Sequence, residues 1–153
     1  MPRLTLISDT HGLLRPEVVD FARGSAHIVH AGDIGDPAIL DALSALAPLT
    51  VVRGNNDRGP WAEALAETDT FAVDDVVIHV LHDLATLDLD PAAAGIGVVV
   101  SGHSHKPRIE RRDGVLYVNP GSVGPRRFSL PIAAAELVIE DGEVTARIVA
   151  FPR

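Results

Sequence analysis

Five times along this 153-residue chain an apolar run stops abruptly at Asp, His or Asn. The segments are Leu6-Ile7-Ser8-Asp9-Thr10-His11, Ile28-Val29-His30-Ala31-Gly32-Asp33, Val51-Val52-Arg53-Gly54-Asn55-Asn56-Asp57, Val80-Leu81-His82-Asp83 and Val99-Val100-Ser101-Gly102-His103-Ser104-His105. Each reads as a buried strand that delivers polar side chains from its carboxyl end, the edge at which open α/β folds assemble their sites. One Asp-x-His or Gly-Asp pair alone is ordinarily a turn or a cap. Five such turns after five strands, holding four of the seven histidines, point instead to a single polar cluster.

The residue types name the chemistry. The candidate donors are Asp9, His11, Asp33, Asn55, His82, His103 and His105. The chain has no cysteine, which excludes disulfides, thiolate metal sites and a cysteine nucleophile. Imidazole and carboxylate together suit divalent transition ions, manganese foremost, with nickel, iron, zinc and cobalt as alternatives. Magnesium and calcium favour all-oxygen shells. In Asp9-Thr10-His11 and His103-Ser104-His105 one residue separates two donors, so an extended backbone puts both on one side, where they chelate one ion or straddle two. Gly32, Gly54 and Gly102 directly precede ligands and are expected to permit the tight turns that aim them.

The remaining pattern alternates β-rich runs with helical ones. Strands are expected at 4–7, 26–30 and 49–53, and helices at 17–22 and 37–46, the latter opened by proline. A short helix is expected at 61–66, and a hairpin from Phe71–Val73 and Val76–Leu81. Strands then follow at 96–101, 108–110, 115–118, 133–139 and 144–151, with Asp113-Gly114 and Asp141-Gly142 as strong hairpin turns. This reads as βαβα followed by an antiparallel meander, and hence as two packed sheets with helices outside.

No linker or repeat divides the chain, so one domain spanning residues 1–153 is expected. Apolar residues at 46% and charged ones at 22% give a globular balance. No apolar run is long enough for a membrane span, and Met1-Pro2-Arg3 runs straight into Leu4 without a cleavage site, so a cytoplasmic location is expected. The net charge of −8 argues against long nucleic acid as a partner, since such binding depends on neutralising phosphates with Lys and Arg. A small phosphoester, including a nucleotide, remains compatible because bound ions reverse the charge locally. Trp61 and Tyr117 stand alone, so an aromatic stacking set for an RNA-processing nuclease is missing.

The five motifs, in this order, resemble those of the calcineurin-like metallophosphoesterase superfamily and specifically its small bacterial and archaeal phosphodiesterase branch. The signature is Asp9-x-His11, Gly32-Asp33, Gly54-Asn55-x-Asp57, a lone His82 after a strand, and Gly102-His103-x-His105; Asn119-Pro120-Gly121-Ser122 matches a further motif of the branch. The likeness runs from about residue 4 to residue 127. It implies a four-layer αββα sandwich of two mixed β-sheets flanked by helices. It also implies two ions, the first held by Asp9, His11 and His105, the second by Asn55, His82 and His103, with Asp33 bridging. Such a pair, about 3.5–4 Å apart, acidifies a water for in-line attack at phosphorus, with Asn55 helping to stabilise the developing charge. A eukaryotic relative in a membrane-coat complex has this fold and serves as an interaction module, so a noncatalytic scaffold is the alternative.

Two positions depart from the branch. Many superfamily members carry histidine after the motif asparagine and the branch often has cysteine there, whereas this chain has Asn56. An amide cannot protonate a leaving group, so esters with poor leaving groups are expected to react slowly. After His82 the branch usually continues Gly-His, and here Asp83-Leu84 follows. Asn55, Asn56 and Asp57 are the candidate catalytic residues, with Asp57 expected either to orient Asn56 and the ligand loops or to cap a turn. His30 and His79 are read as packed structural histidines, Arg126 and Arg127 as surface residues, and Glu110 to Asp113 as a solvated hairpin.

Overall fold

The structure, a computed structural model, describes residues 2–127 and 129–152. The first sheet has the order β10-β9-β1-β2-β3, built from β1 (Arg3–Ile7), β2 (His27–His30), β3 (Leu49–Val51), β9 (Ile132–Glu140) and β10 (Glu143–Phe151). Strands β1, β2 and β3 run parallel, while β9 and β10 form an antiparallel hairpin that docks on β1. The second sheet has the order β4-β5-β6-β8-β7, from β4 (Thr68–Val73), β5 (Val76–Leu81), β6 (Val98–Val100), β7 (Arg108–Arg112) and β8 (Val115–Asn119). Here β5, β6 and β8 are parallel and β4 and β7 are antiparallel edges. The expected antiparallel meander is therefore corrected: the centre of the second sheet is a parallel trio.

Local signals explain the boundaries. Helix α1 (Pro16–Ala22) and helix α2 (Pro37–Ser44) both begin with proline, and Asp36 caps α2 by accepting from the Ala38 N–H at 2.9 Å. Helix α3 is a single turn, Pro60–Glu63, shorter than expected. The hairpin turns Asp113-Gly114 and Asp141-Gly142 have positive φ at both residues, the geometry that matches strand twist in a two-residue loop.

Two mixed sheets face each other across the main core, which buries Leu4, Leu6, Val29 and Leu137 of the first sheet against Ile78, Val80, Val98 and Val118 of the second. Each fully buried side chain of this kind contributes about 1.5–3 kcal/mol. A second core sits between the first sheet and helices α1 and α2, where Ile7 and Ile28 meet Val18, Ile39 and Leu43. Among the described residues, the outer face of the second sheet is covered by the 3-10 turn Leu84–Thr86 and the segment that follows it, packed on Leu81 and Val99. The αββα sandwich is thus thick on one side and thin on the other. No helix of the described residues is long and apolar enough to cross a membrane.

Candidate metal centre

The carboxyl ends of β1, β2, β3, β5 and β6 lie along one seam between the two sheets, and the five polar turns meet there. Asp9 N–H donates to the Gly32 carbonyl at 2.9 Å and His11 N–H to the Asp33 carbonyl at 2.9 Å, which ties the first two turns. Gly102 N–H donates to the His82 carbonyl at 2.9 Å and ties the last two. Asp9, His11, Asp33, His103 and His105 all adopt positive φ, between 46° and 72°. That region is uncommon for residues with a side chain. The tight turns are therefore made by the donors themselves. This corrects the role expected of the preceding glycines: Gly54 and Gly102 are not in the left-handed region. They are small because a Cβ at 54 would enter the backbone of Asp33, and one at 102 would meet Ser8 and Asp9. Gly32 has φ of +102°, and a Cβ there would also lie 2.7 Å from His82 Nδ1.

Two donor groups result. Asp9, His11 and His105 form one, and Asp33, His82 and His103 the other, each with its donor atoms within 4.8 Å of one another. In the first, Asp9 Oδ1 lies 3.6 Å from His11 Nε2 and 3.3 Å from His105 Nε2. Asp9 Oδ2 is already occupied, accepting from Ser8 Oγ at 2.6 Å and His103 N–H at 3.2 Å. Asp9 Oδ1 and His11 Nε2 are both buried and without hydrogen-bond partners, an arrangement costly unless a cation joins them. In the second group, His82 Nε2 lies 2.9 Å from Asn55 Oδ1 and 3.2 Å from Asp33 Oδ2, and His103 Nδ1 is 3.2 Å from the same amide oxygen. Asp33 also reaches the first group, with Oδ2 3.7 Å from His11 Nε2. So Asp9-x-His11 serves one group, whereas His103-x-His105 straddles both.

Electrostatics point the same way. Burial alone would raise the Asp33 carboxyl, but hydrogen bonds from His82 and the Asn56 N–H, with the charges of His82 and His11, hold it well below the usual carboxylate range. Burial likewise opposes charge on His82, yet its contacts with Asp33 and the Ala31 carbonyl raise it above the ordinary histidine value. Its Nδ1–H donates to that carbonyl at 2.7 Å, which turns Nε2 toward the acceptors. This is how a ligand imidazole is oriented. The pocket therefore favours positive charge at Nε2, whether a proton or a metal ion supplies it. Burial lowers His105, only partly offset by Asp9, which keeps this imidazole in its neutral, coordinating form.

The surrounding residues hold the turns. Asp57 accepts four backbone N–H groups, from Asp33 at 3.0 Å and Gly54 at 2.9 Å on Oδ2, and from Ile34 at 2.8 Å and Gly35 at 3.1 Å on Oδ1. Its carboxylate faces backbone and not the donor groups, so the expectation of a catalytic Asp57 is replaced by that of a positioning residue. Asn56 donates to Asp33 from its backbone at 2.9 Å and from Nδ2 at 3.2 Å, and Asn55 faces the second group directly. Further supports come from residues whose part in holding the donors was not read from the sequence. Ser122 Oγ donates to the Asp9 carbonyl at 3.0 Å, and Asn119 Nδ2 donates to the Gly102 carbonyl at 3.0 Å and to Ser104 Oγ at 3.1 Å, so the Asn-Pro-Gly-Ser run clamps both β1 and β6 turns. Fully buried His30 accepts from Gly32 N–H on Nδ1 at 3.1 Å and so carries its proton on Nε2, 3.0 Å from Thr10 Oγ1, which donates to the Ile34 carbonyl at 2.8 Å. The alternation places His79 opposite His82, hydrogen-bonded to Thr70 at 2.7 Å.

Two cavities open beside the second group, one of about 290 Å³ past His103 and one of about 260 Å³ past His82 and Asn55, with Asp83 in the wall of both. A larger one of about 500 Å³ lies at the opposite strand ends, among Gly95, Gly97, Gly114 and Gly142, and contains no candidate ligand. The donor chemistry and the edge of the fold make the seam the functional site.

Residues 3–142 match the model of the calcineurin-like phosphoesterase superfamily domain, and the chain belongs to that family. A probable metallophosphoesterase of Methanothermobacter thermautotrophicus is 33% identical, over 94% of this chain and 90% of that protein. In fold the chain is similar to an archaeal phosphodiesterase, with a TM-score of 0.79 at 21% identity, covering 96% of this chain and 99% of the other. It is also similar to Vps29 of Entamoeba histolytica in complex with zinc, with a TM-score of 0.72 at 22% identity, covering 98% and 99%. The family makes this chain a metal-dependent phosphoesterase, a hydrolase.

Proposed function

We propose that the chain hydrolyses small phosphodiesters at a dinuclear centre in which Asp33 bridges two divalent ions. The observation that carries this reading is the position of Asp33 Oδ2, 3.2 Å from His82 Nε2 in one group and 3.7 Å from His11 Nε2 in the other. The buried, partnerless Asp9 Oδ1 and His11 Nε2 fit an ion in the first group, and the convergent oxygens and nitrogens of Asn55, His82 and His103 fit one in the second. Our first choice of ion is manganese, with nickel, iron, zinc and cobalt fitting the same mixed donor set. When bound, such a pair supplies Lewis-acid polarisation of the phosphoryl group and an acidified water.

The protein's own part is placement. Asp33 is kept ionised, His82 is oriented by the Ala31 carbonyl, and Asn55 presents its amide oxygen beside His82 and His103. Asn56 can donate hydrogen bonds but cannot deliver a proton to a departing alcohol. The cavities on either side of the second group suit an ester with two arms, which favours diesters over monoesters; a nucleotide ester working in the cytoplasm fits this reading, while long nucleic acid does not.

The test strips the protein of metal, reloads it with Mn, Ni, Zn or Mg, and follows bis(p-nitrophenyl) phosphate turnover with elemental analysis of bound metal. Two equivalents of ion and turnover in wild type are expected, with both lost in Asp33→Asn. Full turnover in that variant would overturn the dinuclear reading, and a chain inactive with every metal would be a noncatalytic scaffold.

A further inference from the structure

The cavity of about 290 Å³ beside His103 has a distinct chemistry. It lies on the outer face of the second sheet, where strand pairing sets Glu110 opposite Tyr117 and Arg108 opposite Asn119. Leu84 and Tyr117 give it apolar walls. Leu84 is held in place because Asp83 caps its 3-10 turn, accepting from Ala85 N–H at 3.0 Å. Asn119 spends its amide N–H groups on Gly102 and Ser104, so it acts as rigid wall. Tyr117 is fixed as well, with the Arg112 guanidinium 4.4 Å from its ring centroid.

The cavity is lined by two acids, Asp83 and Glu110, and two bases, Lys106 and Arg108. Glu110 is engaged by Arg108 at 2.7 Å and faces Arg112 at 3.6 Å, which neutralises it locally. Asp83 faces His103, with 3.9 Å between its Oδ2 and Nε2. Lys106, the chain's only lysine, enters no ion pair among the described residues. The cavity thus has preformed apolar walls, an ammonium with no ion pair among the described residues, and a histidine shared with the second donor group.

Resting on the phosphodiester reading, we infer that this cavity receives one ester arm of the substrate, and that the arm is a planar aromatic or heterocyclic group. A volume of about 290 Å³ admits one ring system. Leu84 and the Tyr117 ring offer the flat, apolar contact such a group gains from. Of the groups lining the cavity, the Lys106 ammonium has the sign that draws an anionic diester. Specificity on this side of the site therefore comes from Leu84 and Tyr117 and not from the donors.

Two esters that release the same p-nitrophenolate isolate the arm: bis(p-nitrophenyl) phosphate and methyl p-nitrophenyl phosphate. Wild type is expected to show a kcat/KM ratio, bis-aryl over methyl, of tenfold or more, and Leu84→Ser to reduce that ratio at least fivefold, whereas Lys106→Gln is expected to lower kcat/KM for both monoanionic esters alike. A ratio unchanged in Leu84→Ser overturns the inference. Binding is read separately by ¹³C-methylating the sole lysine of the zinc-loaded protein and titrating with diphenyl phosphate or dimethyl phosphate. Only the diphenyl ester is expected to shift the Lys106 resonance, and equal shifts, or none, would overturn the assignment. A diphenyl-specific shift without hydrolysis of either ester would remove the phosphodiesterase reading and keep the cavity. Hydrolysis of both esters at one rate without a shift would do the reverse.

Discussion

Replacing Asp57 by Asn exchanges one carboxylate oxygen for an NH₂ group and leaves the shape alone. Yet both oxygens each accept two backbone N–H groups, so the new amide must point its donor at other donors in a site 7% exposed. Asp57→Asn is expected to lower stability by about 2–3 kcal/mol and to weaken metal loading, because the Asp33 turn loses its anchor. Urea unfolding and titration calorimetry with Mn measure the two effects, and wild-type values in both would refute this role. In the sequence Asp57 could be seen as either a loop-orienting group or a turn cap. Three of its four partners sit 22 to 24 positions away, beyond any local pattern. The donors themselves were legible, since residue type and motif order need no tertiary knowledge. Their left-handed backbone was not, because nothing in Asp or His demands it.

At the scale of a strand, β2 ends in a histidine with no access to water, and burial pulls its pKa down to about 4. Between that value and the free value of 6.5 the unfolded chain binds a proton that the folded chain refuses. The stability His30 provides is then present above pH 6.5 and is lost as pH falls toward 4, by an amount on the order of 3 kcal/mol. His30→Gln is expected to be less stable at pH 7 but to flatten the stability profile of the metal-free protein between pH 6.5 and 4. Denaturant midpoints across that range measure it, and parallel profiles would contradict the assignment. Element positions were largely legible from apolar runs, Pro37 at a helix start and the Asp-Gly turns. The order of strands was not: Val98–Val100 reads equally well in a meander or a parallel trio, because the run shows only that both faces are buried.

Across the whole molecule, each donor group draws on both sheets: Asp9 and His11 with His105, and Asp33 and Asn55 with His82 and His103. An ion bound in either group ties the sheets together and binds only the folded chain. At 100 times its dissociation constant it is expected to add about 2.7 kcal/mol per site, or about 5–10 °C in Tm for a chain of this size. Calorimetry with and without Mn, reversed by chelation, measures this, and a Tm indifferent to metal would refute the two-sheet assignment.

The left-handed backbone at Asp9, His11, Asp33, His103 and His105 has a consequence for how this chain changes over generations. Glycine or asparagine would occupy those positions with less strain, so drift unopposed by chemistry should run toward them. All five instead hold a carboxylate or an imidazole. A lineage that had given up its ions would be expected to lose this set first, and this chain holds it complete.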